Sequence, residues 1–274
     1  MRISDLVRAL SVTTSLFASG YAFAQRPIVY SACVSGDWEI MSVTLDHEPV
    51  NLSQHAGFDG FPCWTPDNHV LYVSSNPNRD LWMMDSDGSH QWLVHALPEG
   101  RPMHPSCSPD GRYIALSVQQ GHAINVYVLD RENSLLEQLT TDGTSNTPSW
   151  GPDNTLYFSR TVKDAQEIFR MRLGQEPESP GIQGSRPVLS EDGSCLFFNR
   201  YVGGDAQVFL LDLRTMQETQ LTHLQGINAA PVVSPDRAHV AFMRYSGEGS
   251  GIYSMNASGE EIEQLTLGGM EPDW

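Results

Sequence analysis

The chain has 274 residues, of which 40% are hydrophobic and 18% are charged, and this composition excludes an intrinsically disordered protein. Its formal net charge is −17. A surface this acidic repels phosphate backbones, so nucleic-acid binding is not expected. The length allows one large domain that buries enough apolar surface to fold without metals or disulfides.

The first 24 residues have the pattern of a secretory signal peptide. Arg2 and Arg8 accompany an apolar stretch that is too short to cross a bilayer comfortably, and Ala22-Phe23-Ala24 fits the small-x-small rule for cleavage. We therefore expect cleavage after Ala24. The mature chain, residues 25–274, is expected to be periplasmic or secreted, monomeric and without a membrane span.

The cysteines leave two interpretations open. An exported protein can form disulfides, but buried free cysteines also serve as small apolar side chains. No CxxC pair is present, so no zinc site is expected, and no metal or cofactor is predicted. The residues concerned are Cys33, Cys63, Cys107 and Cys195.

One phrase recurs about every 42 residues along the chain. A clear copy is His104-Pro105-Ser106-Cys107-Ser108-Pro109-Asp110-Gly111, in which the second proline, the aspartate and the glycine favour a tight turn. The recurring aspartates are therefore predicted to cap turns rather than to bind a metal. The copies begin at Phe61, His104, Thr147, Arg186 and Ala230, and a truncated copy begins at Glu271.

Short apolar runs follow each copy of the phrase. In the second unit they are Tyr113–Leu116 and Val126–Leu129, followed by Gln138-Leu139-Thr140. These runs are continuously apolar, which is typical of strands covered on both faces. Each unit is therefore predicted to form four short strands, named A to D, with A ending at the Pro-Asp turn. This is the pattern of a propeller blade.

The chain begins within a unit. Ile28–Ser31, Ile40–Val43 and Val50–Ser53 correspond to strands B, C and D, and Glu271–Trp274 at the other end corresponds to the missing strand A. Pairing of these segments would remove an open sheet edge. We therefore predict an all-β, six-bladed β-propeller of four-stranded antiparallel blades. It is closed by the C-terminal strand A, which pairs with the N-terminal strands B to D.

The repeat resembles that of the TolB-type β-propellers. The resemblance is carried by Pro148-Ser149-Trp150-Gly151-Pro152-Asp153, Ile252-Tyr253-Ser254-Met255-Asn256 and Gln264-Leu265-Thr266. Similar repeats occur in the propellers of prolyl-oligopeptidase-like peptidases and in oligogalacturonate lyases. TolB itself has an α/β domain before its propeller, whereas strand B here follows the cleavage site closely. The resemblance therefore implies a stand-alone propeller.

A binding site is predicted at the mouth of the channel that the A strands line. The residues before the A-strand prolines differ between units, and such variation on a repeated frame is where function can be encoded. Four arginines near one mouth could bind a carboxylate or another anion, or each could instead pair with a local acid such as Asp164 or Asp205. The predicted site residues are Phe61, His104, Thr147, Arg186 and Glu271, with Arg160, Arg200 and Arg244 from the ends of the B strands.

No HExxH, P-loop or GxSxG motif occurs, and no catalytic residue is assigned. The sequence therefore favours a non-enzymatic exported propeller that binds an envelope protein or peptide. The alternative is a small carbohydrate-active lyase or hydrolase that acts on a glycan or another small anionic ligand at the same mouth. In that case His104 would act as an acid–base group, rather than as a hydrogen-bonded channel histidine.

Overall fold

The structure is a computed structural model that describes residues 26–46, 48–75, 78–247 and 249–274. The predicted signal peptide lies outside these residues. Every helix or strand in the described ranges is a β-strand, and they form five sheets. In these ranges no helix is long and apolar enough to cross a membrane.

Four of the sheets have four strands each. The first has the order β24–β1–β2–β3 and the other three follow chain order. The first sheet contains β1 (Ile28–Val34), β2 (Asp37–Val43), β3 (Val50–Asn51) and β24 (Met270–Asp273). The second contains β4 (Asp59–Trp64), β5 (His69–Ser74), β6 (Asp80–Asp85) and β7 (Trp92–His95). The third contains β8 (Arg101–Cys107), β9 (Tyr113–Gln120), β10 (Ala123–Asp130) and β11 (Leu135–Gln138).

The fourth sheet precedes a larger one. It contains β12 (Ser145–Trp150), β13 (Leu156–Val162), β14 (Ala165–Met171) and β15 (Glu178–Gln183). The fifth sheet has eight strands. Its first half is β16 (Ser185–Leu189), β17 (Cys195–Val202), β18 (Asp205–Asp212) and β19 (Gln217–Gln220). Its second half is β20 (Ile227–Val233), β21 (His239–Ser246), β22 (Gly249–Asn256) and β23 (Glu263–Gln264).

The all-β propeller is confirmed, but the prediction of six separate four-stranded blades is wrong. The fifth sheet joins two sequence repeats, because Ala206 of β18 and Ile227 of β20 form a parallel bridge. The Ala206 N–H donates to Gly226 O at 3.1 Å, and Asn228 Nδ2 donates to Ala206 O at 3.1 Å. Elsewhere, isolated parallel bridges such as Ile124–Thr144 join a strand to a residue outside the strands, and they leave neighbouring sheets separate.

The two ends of the described chain share the first sheet. Val29 of β1 pairs with Asp273 of β24, and Ser31 pairs with Met270, with a register shift between them. Trp274 is 8% exposed and packs in one apolar cluster with Ile28. The pairing between β24 and β1 that the sequence predicted is therefore present in the structure.

Apolar cores lie between successive repeats. Tyr72 of the second sheet packs with Ile40 of the first, and Phe158 of the fourth packs with Val126 of the third. Inside the eight-stranded sheet, Phe197 packs with Phe242, so its two halves also share a core. Middle strands are thus covered on both faces, which explains their continuously apolar sequences.

The Leu-Thr or Leu-Ser ending of several repeats has a structural role. The Thr222 hydroxyl accepts from Val208 N–H at 2.9 Å and donates to Gln207 Oε1 at 2.7 Å. Equivalent bonds join Thr140 to Val126 and Ser53 to Ile40. A side-chain hydroxyl therefore continues the strand ladder where the outer strand ends.

Candidate functional site

The first strands of the repeats line one pocket with a volume of about 320 Å³. We call these the inner strands: β4, β8, β12, β16, β20 and β24. Each carries a copy of the repeated phrase, so equivalent residues from every repeat reach the same pocket.

The residue before each inner-strand proline has a left-handed backbone, although none is a glycine. A left-handed conformation costs a non-glycine residue about 1–2 kcal/mol. Strand pairing also shifts register here, for example between Met103 and Ser106. The φ angles lie between 48° and 56° at Phe61, His104, Thr147, Arg186, Ala230 and Glu271. These residues therefore form a ring of bulges, which we call the bulge ring.

Side chains of the preceding repeat hold the bulge ring in place. Backbone N–H groups at these positions donate to serine hydroxyls on β1, β9 and β13, each the second strand of its repeat. The bonds join Phe61 to Ser31 at 3.0 Å, Thr147 to Ser117 at 2.9 Å and Arg186 to Ser159 at 2.9 Å. The strain at these three bulges is thus offset by a hydrogen bond that crosses between repeats.

The pocket extends from the bulge ring toward the Pro-Asp turns. Glu191 and Pro235, which lie in these turns, belong to its lining. Its walls are formed by the inner-strand prolines together with Trp64, Trp150 and Trp274. The lining therefore combines apolar proline and tryptophan residues with polar and charged ones, including Glu191 from a turn.

Arg186 and Glu271 form a two-pronged ion pair in the bulge ring. Arg186 Nη2 donates to Glu271 Oε1 at 2.8 Å, and Arg186 Nη1 donates to Glu271 Oε2. Their side chains are 26% and 13% exposed. Burial disfavours both charges, but each charge stabilises the other, so the pKa of Arg186 is raised and that of Glu271 is lowered. His104 also lowers the pKa of Glu271.

His104 joins this ion pair to an aromatic row. Its Nε2 lies 3.5 Å from Glu271 Oε2, and its ring meets the ring of Phe61 edge-on at 4.7 Å between centroids. The ring centroids of Phe61 and Phe58 are 5.8 Å apart, and the Cζ atom of Arg79 lies over the Phe58 ring, 4.2 Å from its centroid. His104 Nδ1 is buried without a hydrogen-bond partner in the described chain.

The sequence did not single out Asp273, which also lines the pocket. Burial raises the pKa of Asp273 to about 6, although a hydrogen bond from the Trp64 N–H at 2.7 Å and the charge of Arg26 oppose the shift. One available signal was its place in the repeat, where it stands as an acid at the position of Cys63 and Ser106.

The structure brings five of the predicted site residues together and leaves three apart. Phe61, His104, Thr147, Arg186 and Glu271 all line the pocket, and Ala230 completes their ring. Arg160, Arg200 and Arg244 do not belong to its lining.

The three arginines outside the pocket have local partners. Arg160 pairs with Asp142 at 3.0 Å and lies over the ring of Phe169, and Arg200 pairs with Glu218 at 2.9 Å. Arg244 lies over the ring of Tyr253. The sequence left open that these arginines pair with local acids such as Asp164 or Asp205. Arg160 and Arg200 do pair with nearby acids, but the partners are Asp142 and Glu218.

No arrangement of three or more histidine, cysteine, aspartate or glutamate side chains suited to a metal ion occurs in the described residues.

Comparison with known proteins connects the chain to TolB. No protein-family model matches it. An 83-residue segment, 30% of this chain, is 33% identical to the Tol-Pal system protein TolB of Francisella tularensis subsp. tularensis (strain WY96-3418). The match spans 19% of the length of that relative.

Solved structures share the fold over most of the chain. TolB from Acinetobacter baumannii is 20% identical with a TM-score of 0.78, covering 90% of this chain and 66% of that one. A putative TolB from Agrobacterium tumefaciens is 18% identical with a TM-score of 0.71, covering 90% and 91%. An oligogalacturonate lyase in complex with manganese is 14% identical with a TM-score of 0.63, covering 88% and 74%. The chain therefore has the fold of a TolB-type β-propeller.

Proposed function

We propose that this chain is an exported, non-enzymatic propeller that binds an envelope protein or peptide in the pocket. The observation that carries the proposal is the bulge ring. Equivalent left-handed positions present different side chains to one pocket, namely Phe61, His104, Thr147, Arg186 and Glu271. On a repeated frame, such varied positions are where binding specificity can be encoded.

The chemistry of the pocket indicates the kind of segment that it would bind. Its tryptophan and proline walls favour apolar side chains. The lining contains three acidic side chains, those of Glu191, Glu271 and Asp273, but only one basic side chain, that of Arg186. A segment that combines apolar and basic residues is therefore the preferred ligand. The curated relatives belong to the Tol-Pal system, so a role in such a system is part of this proposal.

Affinity measurements on pocket variants test this function. Wild-type protein is immobilised and exposed to purified Pal of the Tol-Pal system and, separately, to envelope extract, and bound proteins are identified by mass spectrometry. Phe61→Ala and Arg186→Ala are expected to weaken capture about tenfold or more, because they remove central contacts. Retention of full capture by both variants would contradict the proposal.

Arg200→Ala is the matched control, because Arg200 pairs with Glu218 outside the pocket. It should leave capture unchanged, and a loss equal to that of Arg186→Ala would show that the pocket is not the binding surface. Circular dichroism and thermal melting of each variant separate lost binding from lost folding. Export is tested on the full chain in cells, where the mature protein should begin at Gln25 in the periplasmic fraction.

An enzymatic function is the second candidate. It is favoured by His104, whose Nε2 lies 3.5 Å from Glu271 Oε2 while its Nδ1 has no partner among the described residues. A histidine beside a carboxylate in a pocket can transfer protons. Turnover of oligogalacturonate or another acidic glycan, abolished by His104→Ala, would favour this candidate over peptide binding.

A further inference from the structure

A repeated contact joins neighbouring inner strands. The acceptor is the side chain of the residue two positions after a bulge-ring residue. The donor is a backbone N–H in the next repeat, from the residue three positions after the bulge-ring residue of that repeat. Asp273 Oδ2 accepts from Trp64 N–H at 2.7 Å, and Ser106 Oγ accepts from Trp150 N–H at 3.3 Å. This contact places a side chain of one inner strand against the backbone of the next.

Cysteines occupy both sides of this contact between β4 and β8. Cys63 stands at the position of Asp273 and Ser106, and Cys107 stands at the position of Trp64 and Trp150. Cys107 is the neighbour that shifts the pKa of the Cys63 thiol most strongly, through both its side chain and its backbone, so the two residues lie side by side. Both residues line the pocket and pack in one apolar cluster. The other cysteines, Cys33 on β1 and Cys195 on β17, lie outside this cluster.

We propose that Cys63 and Cys107 form a reversible disulfide that links β4 to β8 in the wall of the pocket. Both are free thiols in this structure. The proposed site is a modification site whose co-reactant is a small disulfide such as oxidised glutathione. The proposal does not depend on which ligand the pocket binds.

The chemistry proceeds by two exchange steps. Cys63 is buried and Cys107 is partly exposed, so the Cys107 thiolate reaches the small disulfide first. Its Sγ bonds to one glutathione sulfur and releases the other glutathione as a thiolate. Cys63 then gives its proton to that thiolate or to water, attacks Cys107 Sγ and expels the second glutathione. One glutathione disulfide is thereby reduced to two glutathione thiols, and the two cysteines are oxidised.

The state of the Cys63 thiol agrees with this order. Its hydrogen bond with Cys107 and its burial raise the pKa of the Cys63 thiol. A thiol with a raised pKa is a poor first nucleophile, but it can complete an exchange once the mixed disulfide lies beside it.

Mass spectrometry of the folded protein tests the disulfide. The variant Cys33→Ser/Cys195→Ser retains only the proposed pair. After incubation with oxidised glutathione and alkylation with N-ethylmaleimide, it should lose the mass of two hydrogen atoms and take up no maleimide. A non-reducing peptide map should join the Cys63 and Cys107 peptides. Persistent alkylation of both thiols, or a stable glutathione adduct in place of the closed disulfide, would overturn the proposal.

Two further variants make the result specific. Cys63→Ser/Cys107→Ser retains Cys33 and Cys195, which lie on different sheets, and should lose no hydrogen mass. Cys63→Ser in the Cys33→Ser/Cys195→Ser background should stop at a glutathione adduct on Cys107.

Refolding removes any limit on access to the buried thiol. The Cys33→Ser/Cys195→Ser variant is refolded from urea in a buffer of reduced and oxidised glutathione. It should recover the disulfide and melt about 5 °C or more above its reduced form. Recovery of a folded protein with both thiols free in an oxidising glutathione buffer would contradict the proposed disulfide.

Discussion

Arg186 and Glu271 lie 85 positions apart in the chain, yet their side chains form a two-pronged ion pair inside the pocket. They come from two inner strands that are not sheet neighbours, β16 and β24. The pair therefore crosses the pocket, and it fixes the position of two strands as well as the electrostatics of the site.

Removing one member of this ion pair is expected to destabilise the fold. Arg186→Ala should lower the free energy of unfolding by about 2–4 kcal/mol, because it leaves the Glu271 carboxylate buried without its partner. Arg186→Leu combined with Glu271→Leu should cost less than either single change. Urea unfolding of Arg186→Leu, Glu271→Leu and the double variant measures the coupling. Arg172→Ala is the control, because Arg172 and Asp153 are more than half exposed, and it should cost less than about 1 kcal/mol.

The Asp273→Asn variant should change how stability depends on pH. The folded pKa of Asp273 is about 6, above the ordinary 3.8, so the folded state binds more protons than the unfolded state between these values. The contribution of Asp273 is therefore fully present below pH 4 and is lost as pH rises through about 6. Asparagine can still accept from the Trp64 N–H but carries no charge.

Denaturant unfolding between pH 4 and pH 7 checks this prediction, since the window follows from those two pKa values. The difference in unfolding free energy, variant minus wild type, should increase by about 2–3 kcal/mol across this range. A constant difference would mean that Asp273 titrates normally. The comparison cancels the opposite contribution of Glu271, whose lowered pKa favours the folded state at higher pH.

Thr222→Val should destabilise the protein by about 2–3 kcal/mol. The change leaves the Val208 N–H and the side-chain oxygen Oε1 of Gln207 buried without their hydrogen bonds to the hydroxyl. The shape of the side chain is retained, so the loss reports on hydrogen bonding. Thr219→Val on the exposed strand β19 is the matched control and should change stability by less than about 0.5 kcal/mol. Thermal melting of both variants compares the two sites.

Ala230→Gly should stabilise the protein by about 0.5–1 kcal/mol. Ala230 has a φ of 51°, and glycine adopts this conformation without the clash of a Cβ atom. Ala230→Val should instead destabilise it, because a branched side chain makes the left-handed conformation worse. Chemical denaturation measures both variants, and a loss of stability in Ala230→Gly would contradict a strained bulge.

The repeated phrase was sufficient to predict an all-β propeller, the strand content of its units and the pairing of Glu271–Trp274 with the first strand. The turn chemistry of Pro109-Asp110-Gly111 is local, so it can be identified from neighbouring residues alone. The same alignment of repeats singled out five side chains that line one pocket in the structure.

The remaining features depend on contacts between distant residues. The fused fifth sheet depends on one bridge, between Ala206 and Ile227, and no local pattern distinguishes that junction from the others. Arg200 pairs with Glu218 rather than with an acid in its own hairpin, because the outer strand β19 lies within reach of the long arginine side chain. The left-handed backbone at non-glycine residues such as Phe61 gives no compositional signal.

The order β24–β1–β2–β3 also has a consequence during synthesis. While the ribosome is still translating, β1 has emerged and presents unsatisfied backbone groups along one side, because its partner β24 does not yet exist. Nascent chains with such exposed strands can associate wrongly with one another.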